Sequence, residues 1–150
     1  MKENAYPVIE ILFRGKTKVI AGSPYNNGKS DGEWVKGYAY NDVGCWKIRQ
    51  FETAWADYVP YEVDPETIGQ YTGLTDSKGE KIFGGDIIKF GDIVGVINYN
   101  EGCYCVKTNK PDWKSRNNPA IDIIMNEYPN EVVIIGNVHD NPELLKEGEK

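Results

Sequence analysis

Four side chains with metal-ligating chemistry total a possible zinc set in this chain: Cys45, Cys103, Cys105 and His139. Tetrahedral zinc usually draws on cysteine pairs separated by two to four residues. Cys103 and Cys105 have a single residue between them, and on a strand both sulfurs would point to one face. Geometry therefore allows a shared ligand, but the default for such thiols is a small buried or free sulfhydryl. Three cysteines make an odd count without framework spacing, which reads as thiols in a reducing compartment rather than a disulfide scaffold. No metal and no cofactor is expected. Carboxylates are plentiful, and Asp76, Glu80, Asp86 and Asp92 fall in or beside one glycine-rich stretch. That is the raw material of a two-carboxylate hydrolase or a magnesium site, yet Asp and Glu also hold turns and blunt strand edges. His139 with Asp140 and Glu143 would make an oriented general base, but no nucleophile motif such as G-x-S-x-G accompanies it.

Binding surfaces are the other candidates. Lys110, Trp113, Lys114 and Arg116 interleave basic and aromatic residues in a polar loop, the best nucleic-acid contact in the chain. Three charges are few. The chain carries 17 Lys and Arg against 23 Asp and Glu, for a net charge of −6, so its mean potential repels phosphates and nucleic acid ranks behind a protein partner. Trp34, Tyr38 and Trp46 lie on two runs joined by a turn, and form a candidate partner surface expected to be covered by the C-terminal lobe or by another subunit, because such rings bury large area at little rotamer cost.

These residues must be carried by strands and tight turns. Ten Tyr and four Trp beside 16 Gly in 150 residues favour β structure over long helices. Tyr6 to Phe13 reads as a strand, with Arg14-Gly15-Lys16 turning the chain into the next. Glu33 to Tyr40 alternates, with Trp34, Lys36, Tyr38 and Tyr40 on one face and Val35, Gly37 and Ala39 on the other. Cys45 to Phe51 hairpins back onto it through Asn41 to Gly44. Asp64 and Pro65 open a helical turn that Gly69 stops. From Gln70 to Ile88 the chain reads QYTGLTDSKGEKIFGGDII: strand, turn at Asp76 to Gly79, strand, turn at Gly84-Gly85, strand, with Gly73 and Gly85 expected at positive φ. Ile93 to Tyr99 and Cys103 to Lys107 flank Asn100-Glu101-Gly102, the strongest hairpin signal in the chain. Ala120 to Met125 and Glu131 to Gly136 read as the last two strands. Asn141 to Gly148 reads as a short helix, with Pro142 at its start.

The segment Val63 to Leu74, VDPETIGQYTGL, followed by Asp76, Gly79 and Gly85-Asp86-Ile87, resembles the signature of the YopX family of phage and prophage proteins. Phe13 to Lys16 with Gly32 to Tyr38 is similar to that family's opening, and Ile135 to Leu145 to its close, so the likeness spans nearly the whole chain. The resemblance implies a β-rich fold with an SH3-like small barrel, a phage or prophage origin, and no catalytic residues. The expectation is a mainly β protein forming one unit over residues 1–150. An N-terminal β lobe would occupy residues 1–62, an SH3-like small barrel the C-terminal part over residues 63–150, with a short C-terminal helix. It would act in the host cytoplasm as a non-catalytic accessory protein that binds a protein partner or itself. The alternatives are a small nucleic-acid-binding module and a small enzyme using the turn carboxylates or His139. No apolar run approaches the roughly 18 residues of a membrane helix, and residues 1–4 lead into no signal-peptide core.

Overall fold

A computed structural model describes residues 10–18, 30–50, 60–108 and 119–147. Two antiparallel sheets carry the fold. In the first, β1 (Phe13–Lys16), β2 (Trp34–Asp42), β3 (Cys45–Arg49), β4 (Tyr61–Glu62), β5 (Gly69–Thr75) and β6 (Lys81–Phe83) lie in the order β4-β3-β2-β1-β5-β6. The second holds β7 (Asp86–Phe90), β8 (Ile93–Asn100), β9 (Cys103–Thr108) and β10 (Val133–Asn137) in the order β10-β7-β8-β9. Two short helices, α1 (Ile121–Glu127) and α2 (Glu143–Glu147), flank β10 in the chain. The mainly β class and the terminal helix are as expected. In place of a closed barrel the second sheet is a ladder with β10 and β9 at its edges. The sheets divide between Phe83 and Asp86, since β5 pairs with β1 and thereby belongs to the first sheet.

The largest core follows from alternation along the meander. Ile88, Phe90, Ile93, Ile97 and Val106 are buried on one face, where Ile121 and Ile124 of α1 and Ile82 of the first sheet cover them. A smaller core under the first sheet holds Val35, Ile48, Tyr61 and Val63. Turn chemistry sets the pleats in register. Gly73 and Gly85 both adopt positive φ, 87° and 91°, as their positions in the glycine-rich stretch require. Asp76 is buried and accepts from the backbone N–H groups of Lys78 and Glu80 at 2.9 Å and of Ile134 at 3.1 Å. Burial alone would raise its pKa, but these donors together hold it below the usual value. Asp64 caps the 3-10 turn Pro65–Thr67 by accepting from Glu66 N–H.

Two readings of the sequence are corrected. Arg14-Gly15-Lys16 is not a turn but lies inside β1, paired with Lys36, Val35 and Trp34 of β2. The run beginning at Ile121 is helical, not a strand. Its isoleucines are β-branched, but Ile121 and Ile124 stand three apart and meet the core together, and that packing overrides propensity.

Candidate functional site

Arg14 leaves the middle of β1 and crosses to the second sheet, where Nη2 lies 2.6 Å from Oδ1 of Asp86 at the start of β7. Their side chains are 12 % and 2 % exposed. The guanidinium is stacked between two rings, 4.8 Å from the centroid of Trp34 and 4.9 Å from that of Phe83. Lys16 lies beyond Trp34, and Lys36 lies 5.3 Å from the Phe83 centroid. Cations and rings thus alternate across the sheet, as the pairing of Arg14 with Lys36 and of Lys16 with Trp34 requires. Asp86 also accepts from Phe83 N–H at 2.7 Å. Burial raises its pKa against the opposing pull of the Arg14 charge.

A second anchor comes from the segment after β10. Asn137 Oδ1 accepts from the N–H groups of His139 and Asp140, and the turn so formed presents Asp140 to the first sheet. One carboxylate oxygen pairs with Lys16, and the other accepts from Trp34 Nε1 at 2.7 Å and Asn137 Nδ2 at 3.1 Å. The Lys16 hydrogen bond is the largest of the effects that hold Asp140 down to about 2. A third tie runs from Tyr104 OH to Gln70 Oε1 at 3.3 Å.

Clefts open beside these ties. One of about 320 Å³ is lined by Arg14, Lys36, Lys78, Phe83 and Asp86 among others, and one of about 330 Å³ by Gln70, Gly85, Tyr104 and His139 among others. The structure brings Asp76, Glu80 and Asp86 together around the first, while Asp92 does not line it. Asp76 and Asp86 are occupied holding backbone N–H groups. His139 lies against Trp34, with ring centroids 6.0 Å apart. Burial, then the charges of Arg14 and Lys16, lower its pKa and favour the neutral imidazole. Asp140 has both oxygens bound to Lys16, Trp34 and Asn137, so it does not orient that ring as a catalytic carboxylate would. Among the described residues no three metal-ligating side chains gather. Cys45 lies on β3, Cys103 and Cys105 on β9, and His139 after β10.

The candidate partner surface divides. The β2–β3 pairing sets Tyr38 opposite Arg49 and Asn41 opposite Trp46. Trp46 therefore shares a face with Ile48, Ala39 and Asn41, whereas Trp34, Lys36, Tyr38 and Tyr40 occupy the other. Trp34 is covered by His139 and Asp140, and the hairpin end carries the exposed rings, with Tyr38 53 % and Trp46 37 % exposed. Lys110, Trp113, Lys114 and Arg116 lie outside the described residues.

A family model described as YopX protein matches residues 16–146. The chain belongs to the YopX family. No curated protein is found to match it. The matched YopX region takes in Lys16, Trp34, Asp86, His139 and Asp140. Among the described residues of this YopX chain no helix is long and apolar enough to cross a membrane.

The sequence located the hairpin turn at Asn41 to Gly44 but not the strain at its tip. Val43 sits in its turn with φ 51° and is 98 % exposed, followed by Gly44 at φ 87°. This type I′ arrangement favours Asn-Gly, and a β-branched residue there is strained. Val43→Asn should raise stability by about 1 kcal/mol, read as a higher urea midpoint. An unchanged or lower midpoint would mean that Val43 gains something from its surroundings that offsets the strain.

Proposed function

We propose that this protein is a non-catalytic phage or prophage accessory protein that binds a protein partner through the β2–β3 hairpin, in the cytoplasm of the host. The observation that carries this reading is the hairpin itself. The pairing of β2 with β1 ends at Gly37, and beyond it the β2–β3 hairpin, backed by the short β4 at Lys47 and Ile48, carries Tyr38, Tyr40, Val43 and Trp46 exposed. Such a hairpin end gains nothing from apolar residues in water. Exposed rings on both of its faces, with a strained valine at the tip, suit insertion into a cleft of a partner. The seam supports the non-catalytic part of the reading, because Asp76, Asp86 and Asp140 are occupied in holding the fold. The strand succession β7-β8-β9, helix α1, and β10 returning to β7 agrees with the SH3-like arrangement that the resemblance implies.

The test is recovery of a partner from infected or lysogenic host cells by the wild-type chain and by a Tyr38→Ala/Trp46→Ala variant, followed by reconstitution of the complex from purified components. The variant should fold and lose at least ten-fold in affinity, since two central aromatic anchors together are worth about 2 kcal/mol or more. Undiminished binding by the variant overturns the hairpin as the surface. Recovery that nuclease abolishes would favour nucleic acid, through the Lys36, Tyr38, Tyr40 and Arg49 face.

A further inference from the structure

Cys103 and Cys105 open β9, the edge strand of the second sheet, and lie on the same face as alternate strand residues must. Their sulfurs are 3.4 Å apart. Cys103 is exposed and Cys105 buried, and both are free thiols. The residue between them is Tyr104, whose hydroxyl reaches Gln70 on the other sheet and whose ring meets Tyr99 at 5.1 Å. Among the described residues, the outer edge of β9 is tied to the chain before α1 from Cys105 onward, by the Cys105–Ala120 bridge and the Val106 N–H to Pro119 carbonyl bond. Cys103 stands at the other end, next to the turn at Glu101-Gly102.

We propose that Cys103 and Cys105 form a thiol–disulfide exchange site, and that closing their disulfide across Tyr104 draws this ring away from Gln70 and loosens one tie between the two sheets. The chemistry needs a low-molecular-weight disulfide such as oxidised glutathione. The Cys103 thiolate attacks one sulfur of that disulfide, forming a mixed disulfide and releasing one glutathione thiolate. The Cys105 thiol gives its proton to water, and its sulfur attacks that of Cys103. The protein disulfide forms, the mixed disulfide breaks and the second glutathione thiolate leaves. Two protein thiols are oxidised, and one glutathione disulfide is reduced to two thiols. The order follows from access: Cys103 meets solvent, while burial, followed by the hydrogen bond with Cys103, pushes the Cys105 thiol up to about 11.

Geometry sets the character of the product. The sulfurs must approach by about 1.4 Å to reach bonding distance, and alternate Cα atoms of an extended strand stand about 6.7 Å apart, near the upper limit for a disulfide. The strand must contract at Tyr104, and a bond made under such strain is an easily reduced one. It is a reversible modification, and its consequence is felt at Tyr104, which lines the 330 Å³ cleft beside His139.

The full-length reduced chain, incubated with glutathione disulfide and then alkylated, tests this by peptide mass mapping. Cys103 and Cys105 should escape alkylation together, their shared peptide should lose two hydrogens and carry no glutathione, and Cys45 should remain alkylated. Cys105→Ser should instead retain glutathione on Cys103. The side-chain amide resonances of Gln70 in the oxidised wild type should shift, and dithiothreitol should restore them. Unreacted thiols, disulfide-linked dimers or a glutathione adduct as the wild-type end product would overturn the exchange site. Disulfide closure with unchanged Gln70 resonances would overturn its coupling to the seam.

Discussion

Replacing Arg14 by Met is expected to lower stability by about 3–5 kcal/mol, because it leaves the Asp86 carboxylate buried without its cation. In a chain of this size that corresponds to a fall in Tm of about 10 °C or more. The methionine retains much of the apolar contact with Trp34 and Phe83, so the loss reports the charge and not the volume. Adding Asp86→Asn should recover most of it, since the amide oxygen still accepts from Phe83 N–H while the buried charge is gone. The pH dependence separates the two carboxylates of the seam. Asp86 has a raised pKa in the folded protein, so the folded state binds more protons between the unfolded and folded values, and stability declines as pH rises through that window. Arg14→Met should widen the window upward and make mild acid stabilising. Asp140, held down to about 2, works in the opposite sense: its contribution is present above the ordinary carboxylate range and is lost as pH falls toward about 2. Calorimetric melting of the wild type, Arg14→Met and the double variant across this range checks the cycle. A single variant melting within about 2 °C of wild type would mean that the pair contributes little to joining the sheets.

Gly37→Ala is the second change of large expected effect. A Cβ at this position would lie 2.6 Å from the carbonyl carbon of Arg49, closer still to its oxygen, and 2.9 Å from Cα of Gln50. These are backbone atoms at the end of β3, so relief requires β2 and β3 to part at the Tyr38–Arg49 pair. A cost of about 3 kcal/mol is expected. Gly79→Ala provides the contrast. Gly79 has φ 82° and open space where its Cβ would stand, so only the left-handed backbone penalty of about 1 kcal/mol applies. Urea midpoints of the two variants should differ accordingly, and equal midpoints would show that the strands part freely at Gly37.

Local chemistry was legible where one residue type has few conformations open to it. Gly73 and Gly85 mark positive φ, Asp76 marks a turn held by its own side chain, Glu101-Gly102 marks a hairpin, and Pro142 marks the start of α2. Long-range partners were not legible. Arg14 and Asp86 are 72 positions apart, and alternation tells that Arg14 shares a face with Lys16 without telling what covers that face. The division of the aromatic surface follows from parity. A two-residue turn at Val43-Gly44 places Trp46 opposite Asn41, and a four-residue turn would place it opposite Ala39. Either even-length turn puts Trp46 on the face away from Tyr38, so this outcome was available from counting. The helix at Ile121 was hidden by its composition, since four of its first five residues are isoleucine or methionine and only the core beneath selects its period.

The attachment of Asp140 to Lys16 and Trp34 has a consequence for synthesis. A ribosome delivers Asp86 directly after β6 but Asp140 long after it, so the first sheet can pair its strands and Arg14 can meet Asp86 while Lys16 still lacks its counter-ion. For that interval the nascent chain holds the Lys16 cation and the Trp34 ring on a finished sheet face, awaiting residues not yet made. Release of the C-terminal segment completes the lock, and truncation before Asn137 would leave a chain whose first sheet is assembled but whose face stays open to other acidic chains.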